Sequence, residues 1–448
     1  MMPIMFYVVL LVIILVFYVW KKHFKTQNAP DIEELWWRPR EDDHDETIKP
    51  FKIDIPREII ADLNQRLSSV LPFEPPLTDD HSFGVNTKFL NEVVDYWKTK
   101  YDWSERQKFL NQYPQFQTRI QGLNVHFLHI KPENPPDLAT VPLLLLHGWP
   151  GSIREFYEII PYLTKPQPGR GFVFELVIPS LPGYGFSEAP SKPGLESTQM
   201  AAIFKNLMIR LDHPKFFVQG GDWGAIIAQD LATLYPEHLL GLHSNMPVSR
   251  APIGVLKIFL GSIHPSLVGI TERERKKIYP MSKVKQLMYQ ETGYSHLHFT
   301  KPDTIGVALR DSPVGLAAYI LEKFITWTDI RWQKRNDHAE FLQRFDLDHL
   351  LDNIMIYWVT RTITTSMRLY AFRFQSQVNL DRVPVIVPTG FAKFFNELFF
   401  FPKAALEDKF INVVHFREYD VGGHFPAFEV PDVLARDIFD FVEVVRSL

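Results

Sequence analysis

Apolar and polar positions divide the chain into stretches of different period. Residues 3–20, "PIMFYVVLLVIILVFYVW", carry no charge, and such a run is about the minimum length for a membrane-spanning helix. Polar and proline-containing sequence follows to Lys49 and reads as a linker or an extended arm. In "PREIIADLNQRL", Ile59, Ile60, Leu63 and Leu67 fall at helical spacing, and "TKFLNEVVDYWKTKYDW" continues in that style. The pattern then changes. "LNVHFLHI" alternates like a strand, and "VPLLLLHGWP" is a short continuous apolar run of the kind a strand buried on both faces shows. "SIREFYEIIPYL" is helical, "FVFELVIPSLPGYGFS" is a strand running into a Gly/Pro loop, and "MAAIFKNLMIRL" is helical. "FFVQGGDWG" reads as strand and turn, "AIIAQDLATLYP" as helix, and "GLHSNMP" as strand. Alternating strands and helices predict an α/β fold, a doubly wound, mostly parallel sheet. Residues 251–380 are aromatic-rich and helical in pattern, and strands return at "VPVIVPTG" (383–390) and "INVVHFREYDVGGH" (411–424) before a last helix. The expected organisation is an anchor (1–22), a linker and N-terminal helical region (23–120), a core in two parts (121–250 and 381–448) and a helical lid between them (251–380).

Composition narrows the function classes. With 448 residues the chain exceeds one small core. A net charge of -4 argues against a nucleic-acid partner, which would call for a basic stripe. The absence of cysteine excludes disulfides, thiolate metal sites and cysteine nucleophiles. The N-terminal run lacks the preceding basic residue and the small-residue cleavage site of a signal peptide, so it reads as an uncleaved anchor. Lys21, Lys22 and Lys25 follow it, which places the rest of the chain on the cytosolic side, at the endoplasmic reticulum membrane. Tyr18, Trp20, Trp36 and Trp37 suit an interfacial aromatic belt.

Gly220-Gly221-Asp222-Trp223-Gly224 fits a nucleophile elbow, Gly-x-nucleophile-x-Gly between a strand and a helix. Its central residue is strained, so residues two away must be small, and the helix dipole behind it favours a negative charge. His147-Gly148-Trp149-Pro150 follows an earlier strand. In α/β-hydrolases a His-Gly loop there and the residue after the nucleophile supply the oxyanion-hole amides, here those of Trp149 and Trp223. His424, just beyond a late strand, suits the histidine that comes last in such triads. The acid belongs on the loop that begins at Thr389-Gly390. Glu397 is its first acidic residue, with Glu407, Asp408 and Asp420 as weaker candidates.

An aspartate nucleophile changes the chemistry. A carboxylate is anionic at neutral pH and attacks an sp3 carbon directly, giving an alkyl ester of the enzyme. His424 would then activate a water against that ester. Two substrate types fit, an epoxide or a carbon–halogen bond. An epoxide oxygen needs a proton donor, for which the lid offers Tyr279, Tyr289, Tyr294, Tyr319, Tyr357 and Tyr370. A haloalkane dehalogenase, and a non-catalytic lipid-binding protein on the same fold, are the alternatives.

With "LLLLHGWPGS", "VIPSLPGYGFS", "QGGDWG", "KPDTIGVALRDSPVGLAAYILEKF" and "GGHFPAFE", the chain resembles the microsomal epoxide hydrolase family, including insect juvenile-hormone epoxide hydrolases, along nearly its whole length. The resemblance implies an α/β-hydrolase fold, with Asp222 as nucleophile, His424 as base and Glu397 as the acid that orients it. It further implies that Tyr294 and Tyr370 protonate the epoxide oxygen. One departure is "FAKFFNE", which lacks the proline commonly found shortly before the acid. The implied partners are a lipophilic epoxide and membrane lipid, with no cofactor, no metal and no protein partner.

Overall fold

The computed structural model describes residues 24–39, 45–132 and 138–448. Nine strands form one sheet: β1 (Lys49–Phe51), β2 (Gln115–Ile120), β3 (Leu123–Ile130), β4 (Ala139–Leu146), β5 (Phe172–Pro179), β6 (Phe216–Gly220), β7 (Leu239–Ser244), β8 (Thr389–Phe394) and β9 (Val413–Tyr419). Their order is β1-β2-β3-β5-β4-β6-β7-β8-β9. The first three strands and β5 pair antiparallel; from β5 through β4 to β9 all pairings are parallel. Parallel strands need cover on both faces. Leu143, Leu144, Leu145 and Leu146 of β4 are accordingly buried, as is every residue of β6. The helix Asp222–Leu234 packs on β4, β6 and β7, and the final helix, Pro431–Ser447, on β7, β8 and β9.

Two pairs of strand ends position the site. β4 and β6 run in register to Leu146 opposite Gly220, so the His147 loop and the 220–224 turn leave the sheet side by side. The chain passes from β4 to β5 on one side and returns to β6 on the other, which makes this a topological switch point where crevices open. β8 and β9 also end together, Phe394 opposite Tyr419, and the Phe395 and Asn396 N–H groups donate to the Tyr419 and Gly422 carbonyls across the gap (2.8 and 3.3 Å). Among the described residues the region between β7 and β8 is helical.

Several expectations need correction. β1 and β2 lie within the region read as helical, where the helices Arg57–Ser68, Thr87–Thr99 and Trp103–Leu110 are also found. "SIREFYEIIPYL" is not one helix: it splits into a 3-10 turn, Ile153–Phe156, and a short helix, Ile160–Thr164, with Pro161 at its first turn. The strand placed at 383–390 begins only at Thr389; before it, Val385 makes a lone bridge to Phe410. Residues 24–39 are not a loose linker. Gln27 N–H donates to the Arg382 carbonyl (2.9 Å), and Trp37 is fully buried, with its backbone N–H on the Gln121 carbonyl (2.9 Å). Trp37 therefore belongs to the protein core and not to an interfacial belt. The expected anchor, residues 1–22, lies outside the described residues. Among the described residues no helix is long and apolar enough to cross a membrane.

Candidate active site

Asp222 tops the turn after β6 with φ at 49°, a left-handed conformation that costs energy in a non-glycine residue and marks displayed groups. The turn closes because Gly224 has no side chain: a Cβ there would lie 2.0 Å from the Leu146 carbonyl oxygen. The carboxylate stands in the first turn of a 13-residue helix, where the backbone dipole favours its charge. The Trp149 N–H donates to its Oδ1 at 2.7 Å. Gly148 permits this approach, since a Cβ there would sit 2.0 Å from the same oxygen. The Trp223 amide makes no hydrogen bond to the carboxylate among the described residues.

The His-Gly loop is fixed from behind. His147 Nε2 accepts from the Leu181 N–H (3.1 Å) and its Nδ1 lies 3.0 Å from the Gly148 carbonyl, and burial lowers its pKa to about 4, so it is a neutral brace. The Pro150 carbonyl accepts from Asn353 Nδ2 (2.8 Å), and the Gly151 carbonyl from the Tyr357 hydroxyl (2.7 Å).

His424 faces Asp222 from the loop after β9. Its Nε2 is 3.3 Å from Asp222 Oδ2, and its Nδ1 lies 3.0 and 3.1 Å from the two oxygens of Glu397. Burial opposes charge on this imidazole, but the Glu397 carboxylate, and after it Asp222, outweigh burial and raise its pKa well above the usual value. The other acids stand elsewhere: Asp408 pairs with Lys257 (2.8 Å), Asp420 with Arg273 (2.6 Å) and Glu407 with Lys403 (3.6 Å).

The lid brings two phenols over the elbow. Tyr294, on the helix Gly293–Thr300, stacks on the Trp149 indole at 5.0 Å between ring centroids. Tyr370, on the helix Ile363–Gln375, meets the Trp223 ring edge-on at 4.8 Å, and its hydroxyl is buried. Burial, then the Asp222 charge, raise Tyr294 well above the usual pKa, and burial first does the same to Tyr370, so both phenols keep their protons. The other lid tyrosines are engaged or exposed: Tyr279 bonds the Ile258 carbonyl, Tyr319 lies 3.1 Å from His298, and Tyr289 is on the surface.

The sequence did not single out His298, whose ring packs against Trp149 and Tyr370 and which burial keeps neutral, with a pKa of about 3. It also did not single out Glu155, which shares a small cavity with Asp222 and His424. No motif spacing marks either residue.

Comparison with known proteins decides the family. The epoxide hydrolase N-terminus model matches residues 48–156 and the alpha/beta hydrolase fold model residues 141–362. Over 97% of this chain and 94% of the relative, it is 46% identical to juvenile hormone epoxide hydrolase 1 of Ctenocephalides felis. The chain belongs to the microsomal epoxide hydrolase family. This epoxide hydrolase is also 43% identical to epoxide hydrolase 1 of Oryctolagus cuniculus, over 94% of its own length and 95% of the relative's. The crystal structure of juvenile hormone epoxide hydrolase from Bombyx mori matches with a TM-score of 0.90 at 45% identity, covering 93% of this chain and 99% of that one. The dehalogenase and non-catalytic alternatives are thereby set aside.

Proposed function

We propose that Asp222 opens the epoxide ring as a nucleophile and that His424 activates the water that releases the diol. The observation that carries this reading is the line of contacts Trp149 N–H to Asp222, Asp222 to His424 and His424 to Glu397. An oxygen of Asp222 attacks an epoxide carbon and the C–O bond of the ring breaks. Tyr294 and Tyr370 bind the departing oxygen, and one of them gives it a proton. Water then attacks the carboxyl carbon of the ester. His424 takes the proton of that water and passes it to the departing diol oxygen, while the amides of Trp149 and Trp223 hold the negative charge on the carboxyl oxygen. The electrostatics suit the order of events. In the resting site the charges of Glu397 and Asp222 favour imidazolium. Alkylation removes the Asp222 charge, which lowers the pKa of His424; its proton restores the phenol that protonated the ring oxygen, the neutral imidazole serves as base for the water, and the acid proton left on Asp222 after hydrolysis restores the imidazolium.

A single turnover in heavy-oxygen water tests this. The diol of the first turnover is expected to carry an oxygen from Asp222, and immediate solvent label in the diol excludes the covalent route. His424→Gln is expected to be alkylated and to hold the ester.

The substrate class is a lipophilic epoxide, of juvenile-hormone or xenobiotic type, presented from the endoplasmic reticulum membrane, with residues 1–22 as the tether. Relatives named for juvenile hormone and relatives named epoxide hydrolase 1 stand at similar identity. The surface supports the membrane. On the helix Pro252–Gly261 the side chains of Ile253, Val255, Leu256, Phe259 and Leu260 are exposed, and Ile263 and Leu267 follow. An exposed apolar patch of this kind marks an interaction surface. It lies close to where the chain first joins the core. Gln27 bonds Arg382, the neighbouring carbonyls of Leu380 and Val383 accept from Lys409 Nζ, and Asp408 pairs with Lys257 of the apolar helix.

A further inference from the structure

The Asp222–His424 contact borders a cavity that the reading above leaves without an occupant. It is lined by Glu155, Gln219, Asn245, Asp222 and His424 on its polar side and closed by Phe156, Phe425 and Leu434. The space open to the centre of a water molecule is about 10 Å³, close to the size that holds one water. Two of its lining side chains carry a buried polar atom with no hydrogen-bond partner among the described residues, Gln219 Oε1 and Asn245 Nδ2, and His424 Nε2 faces the same space beside its 3.3 Å contact with Asp222. Buried polar groups are almost always satisfied, so two unsatisfied atoms lining one small cavity point to a polar occupant. The remaining polar atoms of the amide pair are used, because Gln219 Nε2 donates to Asn245 Oδ1 at 2.8 Å. Glu155 adds a carboxyl to this wall from the 3-10 turn Ile153–Phe156, directly after the oxyanion loop. Burial, then the Asp222 charge, push its pKa well above the carboxylate range, so it enters the site as a neutral acid.

Resting on the Asp222 reading, we propose that this cavity holds the hydrolytic water and that Glu155, with Asn245, positions it for attack on the ester. A water has two protons and two lone pairs. His424 Nε2 accepts one proton and the carbonyl oxygen of Glu155 the other, while Asn245 Nδ2 donates to one lone pair. The second lone pair is left for the carboxyl carbon of Asp222. Attack forms the bond from water oxygen to that carbon, and the water proton passes to His424. The ester C–O bond to the diol breaks, and the diol oxygen recovers the proton from His424. Neutrality of Glu155 matters here, since a second carboxylate would repel the charge that develops on the carboxyl oxygen.

The test separates the two chemical steps by rapid quench of single turnovers with stilbene oxide, on the full-length protein. Glu155→Ala is expected to form the Asp222 ester at close to the native rate and to hydrolyse it about tenfold to a hundredfold more slowly, the effect of losing one hydrogen bond at a developing charge. Glu155→Gln, which keeps a neutral carbonyl acceptor, is expected to restore most of the hydrolysis rate. Glu155→Leu fills the volume without an acceptor and repeats the Ala test if the smaller side chain disturbs folding. Unchanged hydrolysis in the Ala and Leu variants, an equal fall in both steps, or a Gln variant as slow as Ala overturns the assignment of Glu155. Absence of any Asp222 ester in the native enzyme overturns the covalent reading instead.

Discussion

Asp222, Tyr294 and Tyr370 share one electrostatic problem. In the proposed mechanism the carboxylate must stay charged to attack, and the phenols must stay protonated until the ring oxygen needs a proton. Burial and the Asp222 charge secure the second condition by raising both phenols. Tyr370→Phe is expected to slow ester formation by about tenfold to a hundredfold, with ester hydrolysis unchanged; a slowed second step would place the phenol elsewhere in the mechanism. Glu429 shows the same physics acting on stability. Its Oε1 accepts from the Phe425 N–H (2.9 Å), and burial pushes its pKa up to about 8 from an ordinary 4.5. The folded protein keeps a proton there that the unfolded chain releases near pH 4.5. Stability therefore falls as pH rises from about 4.5 to about 8 and is level beyond. Glu429→Gln is expected to raise the melting temperature at pH 8 and leave it unchanged at pH 4, as thermal unfolding across pH will show.

Between elements, the lid helix Leu347–Thr360 is tied to the loop after β4 by neighbouring residues. Asp352 is fully buried and takes Arg154 Nε (3.0 Å) on one side and the Arg106 guanidinium on the other, while Asn353 and Tyr357 hold the Pro150 and Gly151 carbonyls. The lid and the Trp149 amide thus share a brace. Asp352→Ala leaves two guanidinium groups short of a partner and is expected to lower stability by about 3 kcal/mol or more, measurable by denaturant unfolding; a change within error would mean that Glu158 and Asp348 compensate. Elements with strong apolar runs were readable in advance. β4 and β6 are continuous apolar segments because both faces are covered, and the helix after β6 follows its turn directly. β1 and β2 escaped because "KPF" is three residues long and "QFQTRI" is an edge-side strand with polar positions that look like loop. The site divides in the same way. Asp222, Trp149, Glu397 and His424 follow strand ends, so a strand pattern locates them. His298 is brought in by packing of the lid on the Trp149 loop, which nothing local in the sequence records, while Glu155 and Gln219 lie beside the motifs but carry no spacing that marks them.

For the whole molecule, the outward apolar face of the helix Pro252–Gly261 belongs with the proposed tether. Replacing Phe259 and Leu260 by serine in the full chain is expected to lower kcat/KM severalfold for an epoxide dissolved in lipid vesicles and to leave it unchanged for a water-soluble epoxide. An equal loss on both would point to a folding defect rather than to a membrane contact. The docked arm at residues 24–39 has a geometric consequence. From Trp20, the end of the apolar run, to the backbone bond of Gln27 on Arg382 is 27 − 20 = 7 residue steps, a leash of at most about 24 Å even when fully stretched. With residues 3–20 in a bilayer, as proposed, so short a leash would leave little room for tumbling. In the proposed tethered state one face would stay toward the bilayer, and the search for a lipid-dissolved epoxide would be two-dimensional, set by lateral diffusion rather than by the scarce concentration in water.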